Sequence, residues 1–190
     1  FVCVNNGQQL IVASPKSKGP LIDFLDPAAT KMHFQHILDK IGLTPENAKK
    51  FGLAYLAVES MELAEGIQWT DAFSADFVRW AGYDPTRYLP ILAGWMIGGR
   101  ELSDRFLYDY RKAVSEQLIF SHYVTANELL DKYGILLSGE AGGPGPPIWN
   151  SCPVDALKAL GNLDIPQGEF WIRHRNMFLI KEISSASLIY

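Results

Sequence analysis

The amino-acid sequence predicts an α/β fold in which helices cover a parallel sheet. Residues 53–58 and 135–138 are short, nearly continuous apolar runs, which are typical of strands buried on both faces. Between them, residues 103–133 contain neither Gly nor Pro and repeat apolar side chains at helical intervals. Residues 164–166 supply a third, brief strand. Strands separated by long helical crossovers indicate parallel pairing.

Two parallel architectures fit this order of elements, a doubly wound open sheet and a (β/α)8 barrel. A complete barrel usually needs about 250 residues. The chain has 190 residues, so it could supply roughly half to two-thirds of a barrel. We predict one domain over residues 1–190, with no internal boundary.

The N-terminal elements are predicted from local signals. Residues 2–13 have the pattern of two short strands around Asn5-Asn6-Gly7, where Asn-Gly favours the positive φ angles of a tight hairpin. Asp26 and Pro27 are typical of a helix start, as an N-cap followed by a proline at the first helical position. This helix should run to about Ile41. Its predicted apolar face consists of Met32, Phe34, Ile37, Leu38 and Ile41.

Further signals bound the remaining elements. A helix is predicted over residues 71–80, and residues 103–133 form either one long helix or two joined by a kink that end at Gly134. The Gly- and Pro-rich residues 139–147 must form a loop. A short helix is expected near Pro153, and helical spacing returns from Arg173 onward.

Composition excludes several classes of protein. Hydrophobic residues make up 48% and charged residues 20% of the chain, which predicts a water-soluble domain with a real core. The formal net charge of −4, without a dense basic patch, argues against a nucleic-acid partner. No apolar stretch reaches about 18 residues, so no membrane span is expected. The chain begins at Phe1 and ends on apolar residues, from which we expect missing domains of a longer parent chain.

Motif searches remove common enzyme chemistries. The sequence contains no P-loop motif, no dinucleotide-binding G-x-G-x-x-G before a helix, no H-E-x-x-H, no C-x-x-C and no G-x-S-x-G. The four histidines stand in no ligand or carboxylate motif, so we expect them to be structural or exposed.

Glutamates at the ends of predicted strands are the remaining chemical signal. Glu59 and Glu62 follow the first buried strand, Glu140 follows the second, and Glu169 follows the third. The carboxyl ends of parallel strands converge on one face, where active sites lie. Nearby aromatic residues are Trp69, Trp149, Phe170 and Trp171. Paired carboxylates with flat rings suit a sugar substrate, because one acid protonates the leaving oxygen while another activates water or attacks. Any one of these glutamates alone is more often a cap or a surface charge.

Several blocks of the sequence resemble glycoside hydrolase family 106, the α-L-rhamnosidases. They are Glu59-Ser60-Met61-Glu62, Gln68-Trp69-Thr70, Gly82-Tyr83-Asp84 with Tyr88-Leu89-Pro90, Gly139-Glu140-Ala141-Gly142-Gly143-Pro144, and Gly168-Glu169-Phe170-Trp171. The opening of the chain, including Asp23-Phe24-Leu25-Asp26-Pro27, is similar to the family's first barrel segment. The blocks occur in the family's order over most of the chain.

This resemblance implies a (β/α)8 TIM-type catalytic barrel, incomplete in this chain, that removes a terminal α-L-rhamnose-like sugar with inversion. It implies that Glu62 is the general acid and Glu169 the general base. It also implies that Glu140 binds metal or substrate, with calcium as the cofactor. Trp69 and Trp171 are the expected sugar-binding rings. Glu59 stands where the family commonly has Asp, so it is a rival for the acid role as well as a substrate-binding candidate.

Two other functional classes stay open. A non-catalytic carbohydrate-binding or scaffolding barrel fits the altered Glu59-Ser60-Met61-Glu62 block, and a structural segment that folds only with its neighbours fits the incomplete barrel. If the resemblance holds, the protein is periplasmic or secreted and its partner is a carbohydrate substrate, as in polysaccharide degradation. The compartment itself cannot be read from the sequence.

Overall fold

The three described strands form one small parallel sheet. The computed structural model describes residues 7–9, 14–61, 63, 66–141, 153–169, 172 and 177–190. Within them, β1 (Tyr55–Val58), β2 (Leu136–Gly139) and β3 (Ile165–Pro166) pair in parallel, in the spatial order β1-β2-β3. The predicted mixed α/β class with parallel strands is confirmed, and the three described strands alone do not form a barrel.

Helices make up most of the remaining described residues. They are α1 (Pro27–Lys40), α2 (Ala48–Phe51), α3 (Phe73–Ala81), α4 (Arg100–Leu118), α5 (Thr125–Leu130), α6 (Ala156–Leu160) and α7 (Phe178–Ile189). Two 3-10 helices cover Thr86–Ala93 and Asp131–Tyr133. Sequence reasoning did not predict α2 or the first of these 3-10 helices. None of the described helices is long and apolar enough to cross a membrane.

The start of α1 follows its sequence signals, but its predicted apolar face is partly wrong. The Asp26 carboxylate accepts a hydrogen bond of 2.8 Å from the Ala28 amide, and Pro27 is the first helical residue. Phe34 and Leu38 are buried, whereas Met32 is 66% and Ile41 42% exposed. The buried face follows an i, i+4 spacing from Thr30 through Phe34 to Leu38. Met32 lies two residues from this row and therefore points to the opposite side of the helix.

The helix predicted over residues 103–133 runs without a break from Arg100 to Tyr133, and its segment Ile119–Val124 is π-helical. The Thr125 hydroxyl donates to the Phe120 carbonyl across five residues, as the wider turn requires. Four of the six π-helical residues are buried. Gly134 ends the helix at a φ of 66°, as predicted.

Burial of the strands differs between β1 and β2. Leu137 and Ser138 are fully buried in β2, whereas Tyr55 of β1 is 50% exposed. The prediction that the first strand is covered on both faces is therefore wrong for this chain. The physical reason is that α5 packs against β2, whereas the main packing partner of β1 among the described elements is β2 itself. The hairpin predicted over residues 2–13 falls largely outside the described residues. Gln9, which is described, forms an isolated antiparallel bridge to Pro20.

A buried glutamine joins three parts of the fold. The Gln117 side chain is 1% exposed, and its Oε1 accepts hydrogen bonds from Arg79 and from the Trp80 indole, at 3.1 and 2.9 Å. Its Nε2 donates to the Leu25 carbonyl at 3.0 Å and to the Ser121 hydroxyl at 2.9 Å. Gln117 therefore connects α3, the π-helical segment and the loop before α1, with donors and acceptors both satisfied.

His122 is one of the histidines expected to be structural, and it lies in the core. Its ring makes edge contacts with Phe24 and Tyr123, each with centroids 5.0 Å apart, and its Nδ1 is 3.5 Å from the Thr30 hydroxyl. Burial, and secondly the charge of His33, lower the pKa of His122 to about 4. The ring is therefore neutral in the folded protein at neutral pH.

His122 predicts a specific loss of stability in acid. Between pH 6.5 and about 4 the unfolded chain protonates this histidine and the folded chain does not, so the free energy of unfolding falls as the pH falls through that window. A shift of this size corresponds to about 3 kcal/mol at most. The free energy of unfolding measured in urea should fall less steeply between pH 7 and 4.5 in His122→Gln than in the wild type. His36→Gln, an exposed change on α1, is the control, and equal slopes in all three proteins would contradict the prediction.

Candidate active site

The three strands end at the same level of the sheet. Val58 pairs with Gly139, and Gly139 pairs with Pro166, so the carboxyl ends of β1, β2 and β3 form one straight edge. Glu59 and Glu140 follow directly after β1 and β2, and Glu169 is the third residue after β3. The structure thus brings the segments that carry these three predicted site residues to a common edge, with Glu59 exposed and the other two half-buried.

Backbone pairing continues past the strand ends. The Met61 amide donates to the Ala141 carbonyl at 3.0 Å, and the Gln167 amide donates to the Gly139 carbonyl at 2.6 Å. Glu140 therefore lies between two residues that are both paired to neighbouring segments. Glu62, the predicted acid, follows Met61 directly in the chain. Glu62 and Trp171 themselves lie outside the described residues, and their predicted roles stay predictions.

Side chains fix the register of the very short β3. The Asp164 carboxylate, one residue before β3, accepts a hydrogen bond of 2.8 Å from the Leu137 amide. The buried Ser138 hydroxyl donates to the Ile165 carbonyl at 3.0 Å. A strand of two residues makes few ladder bonds, so these two contacts supply much of its attachment to β2. They also set where the segment leading to Glu169 leaves the sheet.

Gly139 permits an unusually close approach of β1 and β2 at this edge. A Cβ atom built at Gly139 would lie 2.9 Å from the Val58 backbone oxygen and 2.6 Å from a methyl carbon of Val58. Real Cβ contacts are almost never so short, and a backbone atom cannot rotate away. The glycine is therefore required by packing, one residue before Glu140.

The segment that follows β1 is held by two residues that sequence reasoning missed. The Tyr110 hydroxyl, on α4, accepts a hydrogen bond from the Gln68 amide and donates one to the Gln68 carbonyl, both at 2.8 Å. The Thr70 hydroxyl donates to the Asp23 carboxylate at 2.6 Å. Burial raises the pKa of Tyr110 to about 12, so its phenol stays protonated and able to donate. Trp69, the predicted sugar-binding ring, lies between these two anchored residues.

Tyr110 had no functional signal in the sequence, and Asp23 was part of a block that resembles the family but was given no role. Tyr110 occupies a helical apolar position and reads as core, and its partner Gln68 is 42 residues away in the chain. Asp23 precedes a recognisable helix start and is linked to a residue 47 positions away.

Two further features bear on what this edge can bind. Among the described residues, no group of three or more His, Cys, Asp or Glu side chains is arranged to hold a metal ion. A cavity of about 310 Å³ lies between the first 3-10 helix and α4, and its lining contains none of the predicted site residues. Within it, the Tyr83 hydroxyl donates to the Asp109 carboxylate at 2.9 Å.

Comparison with known proteins places this geometry in a family. A model of the alpha-L-rhamnosidases, glycoside hydrolase family 106, matches residues 4–189. The chain belongs to glycoside hydrolase family 106. The resemblance inferred from the motif blocks is therefore confirmed over nearly the whole chain.

Two similar proteins illustrate the relationship. The solved structure of a rhamnosidase from Novosphingobium sp. PP1Y superimposes with a TM-score of 0.80 at 30% identity, over 95% of this chain and 17% of that one. A protein of Formosa agariphila named "Putative beta-glucuronidase" is 30% identical over 133 residues, which are 70% of this chain and 10% of the Formosa protein. The family 106 chain thus spans less than a fifth of the length of either relative, as expected for part of a longer protein.

The close approach at Gly139 gives a test of the edge. Gly139→Ala should push β1 and β2 apart where they lead to Glu59 and Glu140, and overpacking of this kind costs about 1–3 kcal/mol. We expect a lower thermal unfolding temperature than that of the wild type. Gly19→Ala is the matched control, because a Cβ there meets nothing within 4 Å. Equal unfolding temperatures for the two variants would show that the approach is not tight.

Proposed function

We propose that this family 106 chain is part of the catalytic domain of a glycosidase that removes a terminal α-L-rhamnose-like sugar with inversion. The observation that carries the proposal is the common edge of three parallel strands, each followed by a glutamate. Membership of the rhamnosidase family and the similarity to a solved rhamnosidase support the same substrate class.

In the proposed reaction, Glu62 is the general acid and Glu169 the general base. The acid donates its proton to the glycosidic oxygen as the bond from that oxygen to the anomeric carbon breaks. The base takes a proton from a water molecule whose oxygen bonds to the anomeric carbon from the opposite face. Inversion needs room for that water, so the two carboxyl groups should lie about 6.5–9.5 Å apart. Placement of the two residues after different strands, β1 and β3, favours such a gap over direct contact.

The other predicted residues would bind the sugar. Glu140, after the central strand, is the candidate for a hydroxyl or metal contact between the acid and the base. Trp69 and Trp171 would pack flat against the ring, and Glu59 would bind the sugar or replace Glu62 as the acid. This edge would then form one face of a (β/α)8 barrel completed by strands of the longer parent protein.

Calcium is part of the proposal only as an ion for which the Glu140 carboxylate would be one ligand. Calcium takes six to eight oxygen ligands in proteins, and one carboxylate supplies two at most. Since the described residues hold no cluster of three or more acidic or histidine side chains, the remaining ligands would have to come from other parts of the chain or the parent protein. The acid and base steps above do not depend on the metal.

Replacement of the proposed acid and base tests the mechanism directly. In the intact protein, Glu169→Gln and Glu62→Gln should each lower kcat on an aryl α-L-rhamnoside by about 10²–10⁴-fold, the usual contribution of a general acid or base. Glu128→Gln, an exposed change on α5, should have no effect. Proton NMR of the first product should show the β-anomer.

The same experiment separates the alternatives. Full activity of Glu169→Gln would remove that residue from the mechanism, and initial release of the α-anomer would exclude inversion. A wild-type protein that binds a rhamnoside by calorimetry without hydrolysing it would instead establish the non-catalytic carbohydrate-binding function.

A further inference from the structure

The three residues Gln68, Trp69 and Thr70 are anchored at both ends by side chains from distant elements. Tyr110 pairs with both backbone groups of Gln68, which is how a neighbouring strand would bind that residue. The Thr70 hydroxyl binds the Asp23 carboxylate at 2.6 Å. A loop segment this short, with three hydrogen bonds to two other elements, has little freedom to move.

Aromatic packing fixes the ring in the middle of this segment. Trp69 and Phe73 meet edge to face with centroids 5.0 Å apart, and Phe73 meets Tyr110 in the same way at 6.0 Å. Phe73 is fully buried and Tyr110 is 8% exposed, whereas Trp69 is only half-buried. One edge of the indole is therefore held by the core while part of the ring remains accessible.

We propose that Tyr110 is a positioning residue that, with Asp23, holds the Trp69 ring in place as a wall for a neutral sugar ring. The inference rests on the proposed function, and it names residues that act through Trp69 and do not touch the substrate. A flat ring contributes to sugar binding through its orientation, because its contacts are numerous, weak and short in range. Holding it in the bound orientation removes the cost of ordering it when the sugar binds.

The position of the segment supports this role. It follows β1 after Met61, whose amide is bonded to the Ala141 carbonyl next to Glu140. Trp69 packs against the hydrophobic core of the described residues. The hydrogen bonds to Gln68 and Thr70 (the clamp) therefore hold a segment that lies seven to nine residues after Met61 in the chain.

Stacking of a sugar on Trp69 would be equally strong before and during the reaction. Loss of an interaction of that kind raises KM and leaves kcat unchanged. Tyr110→Phe removes both hydrogen bonds to Gln68 and keeps the ring that packs against Phe73. In the intact protein, we expect this change to raise KM for an aryl α-L-rhamnoside, and Kd for methyl α-L-rhamnoside by calorimetry, about tenfold, or about 1.4 kcal/mol, with kcat within about twofold.

A second readout reports on the clamp itself. The Gln68 amide is bonded to the Tyr110 hydroxyl, so its hydrogen exchange should be slow in the wild type and faster in Tyr110→Phe. Tyr108→Phe is the matched control, since Tyr108 lies on the same helix, two residues away, and is 66% exposed. It should change neither exchange nor sugar affinity.

Thr70 offers an independent pair of variants at the other anchor. Thr70→Val loses the hydroxyl that binds Asp23 and should weaken sugar binding, whereas Thr70→Ser keeps the hydroxyl and should retain the wild-type affinity. This pair also replaces Tyr110→Phe if that variant does not fold.

Three results would overturn the proposal. Faster Gln68 exchange with unchanged KM and Kd would show that the clamp has only a structural role. A fall in kcat with unchanged KM would assign Tyr110 to the chemical step. Failure of the wild type to bind the rhamnoside would exclude this sugar as the ligand of Trp69. If Glu169→Gln stays active while Tyr110→Phe still weakens binding, the assigned base is wrong and the positioning role stands.

Discussion

The arrangement of the helices depends on the hydrogen bonds of one buried amide, that of Gln117. Its oxygen receives two donors from α3 and its nitrogen donates to the Leu25 carbonyl and to Ser121. A buried amide left without partners costs about 1–3 kcal/mol for each lost group, so an arrangement of these elements that broke the bonds to Gln117 would be less stable. The Arg79 guanidinium, which binds both Gln117 and the Asp76 carboxylate, extends the same network to the start of α3.

The influence of this network reaches the candidate site through the chain. Leu25, which Gln117 holds by its carbonyl, is two residues from Asp23, and Asp23 binds both the Leu25 amide and the Thr70 hydroxyl. The loop before α1 is thus hydrogen-bonded both to the buried amide of Gln117, through Leu25, and to the segment that carries Trp69, through Asp23. A polar network in the core and an anchored loop at the sheet edge are in this way parts of one connected set of hydrogen bonds.

The sequence predicted those parts of the fold that depend on neighbours in the chain. The Asp26 cap and the Gly134 stop are local, and the two apolar strands and the brief third strand were located within one or two residues of β1, β2 and β3. What it could not predict depends on contacts between distant segments. Gln117 meets Leu25 across 92 residues, and Tyr110 meets Gln68 across 42. No spacing rule within a helix distinguishes such residues from ordinary core positions.

The candidate site likewise has features that the sequence predicted and features that it could not predict. The order of the glutamates after the strands was readable because parallel strands end on one side, and the pairing of Val58, Gly139 and Pro166 shows that β1, β2 and β3 do end at one edge. The rings and side chains that hold Trp69 were not readable, because they come from α4 and from the loop before α1.

The backbone beside Glu140 supports the interpretation of this edge as a working site. Ala141 has a φ of 60°, the left-handed conformation that costs a residue with a side chain roughly 1 kcal/mol or more. A glycine would adopt it freely, and glycines follow at positions 142 and 143. The alanine methyl is nevertheless fully buried, and the Ala141 carbonyl accepts the Met61 amide. Packing and pairing thus hold a strained residue in one conformation directly after a predicted binding glutamate. Strain of this kind persists where the surrounding structure determines it and is concentrated at functional sites. Because the Ala141 carbonyl accepts the Met61 amide, this strained turn links the backbone after Glu140 to the residue that precedes Glu62 in the chain.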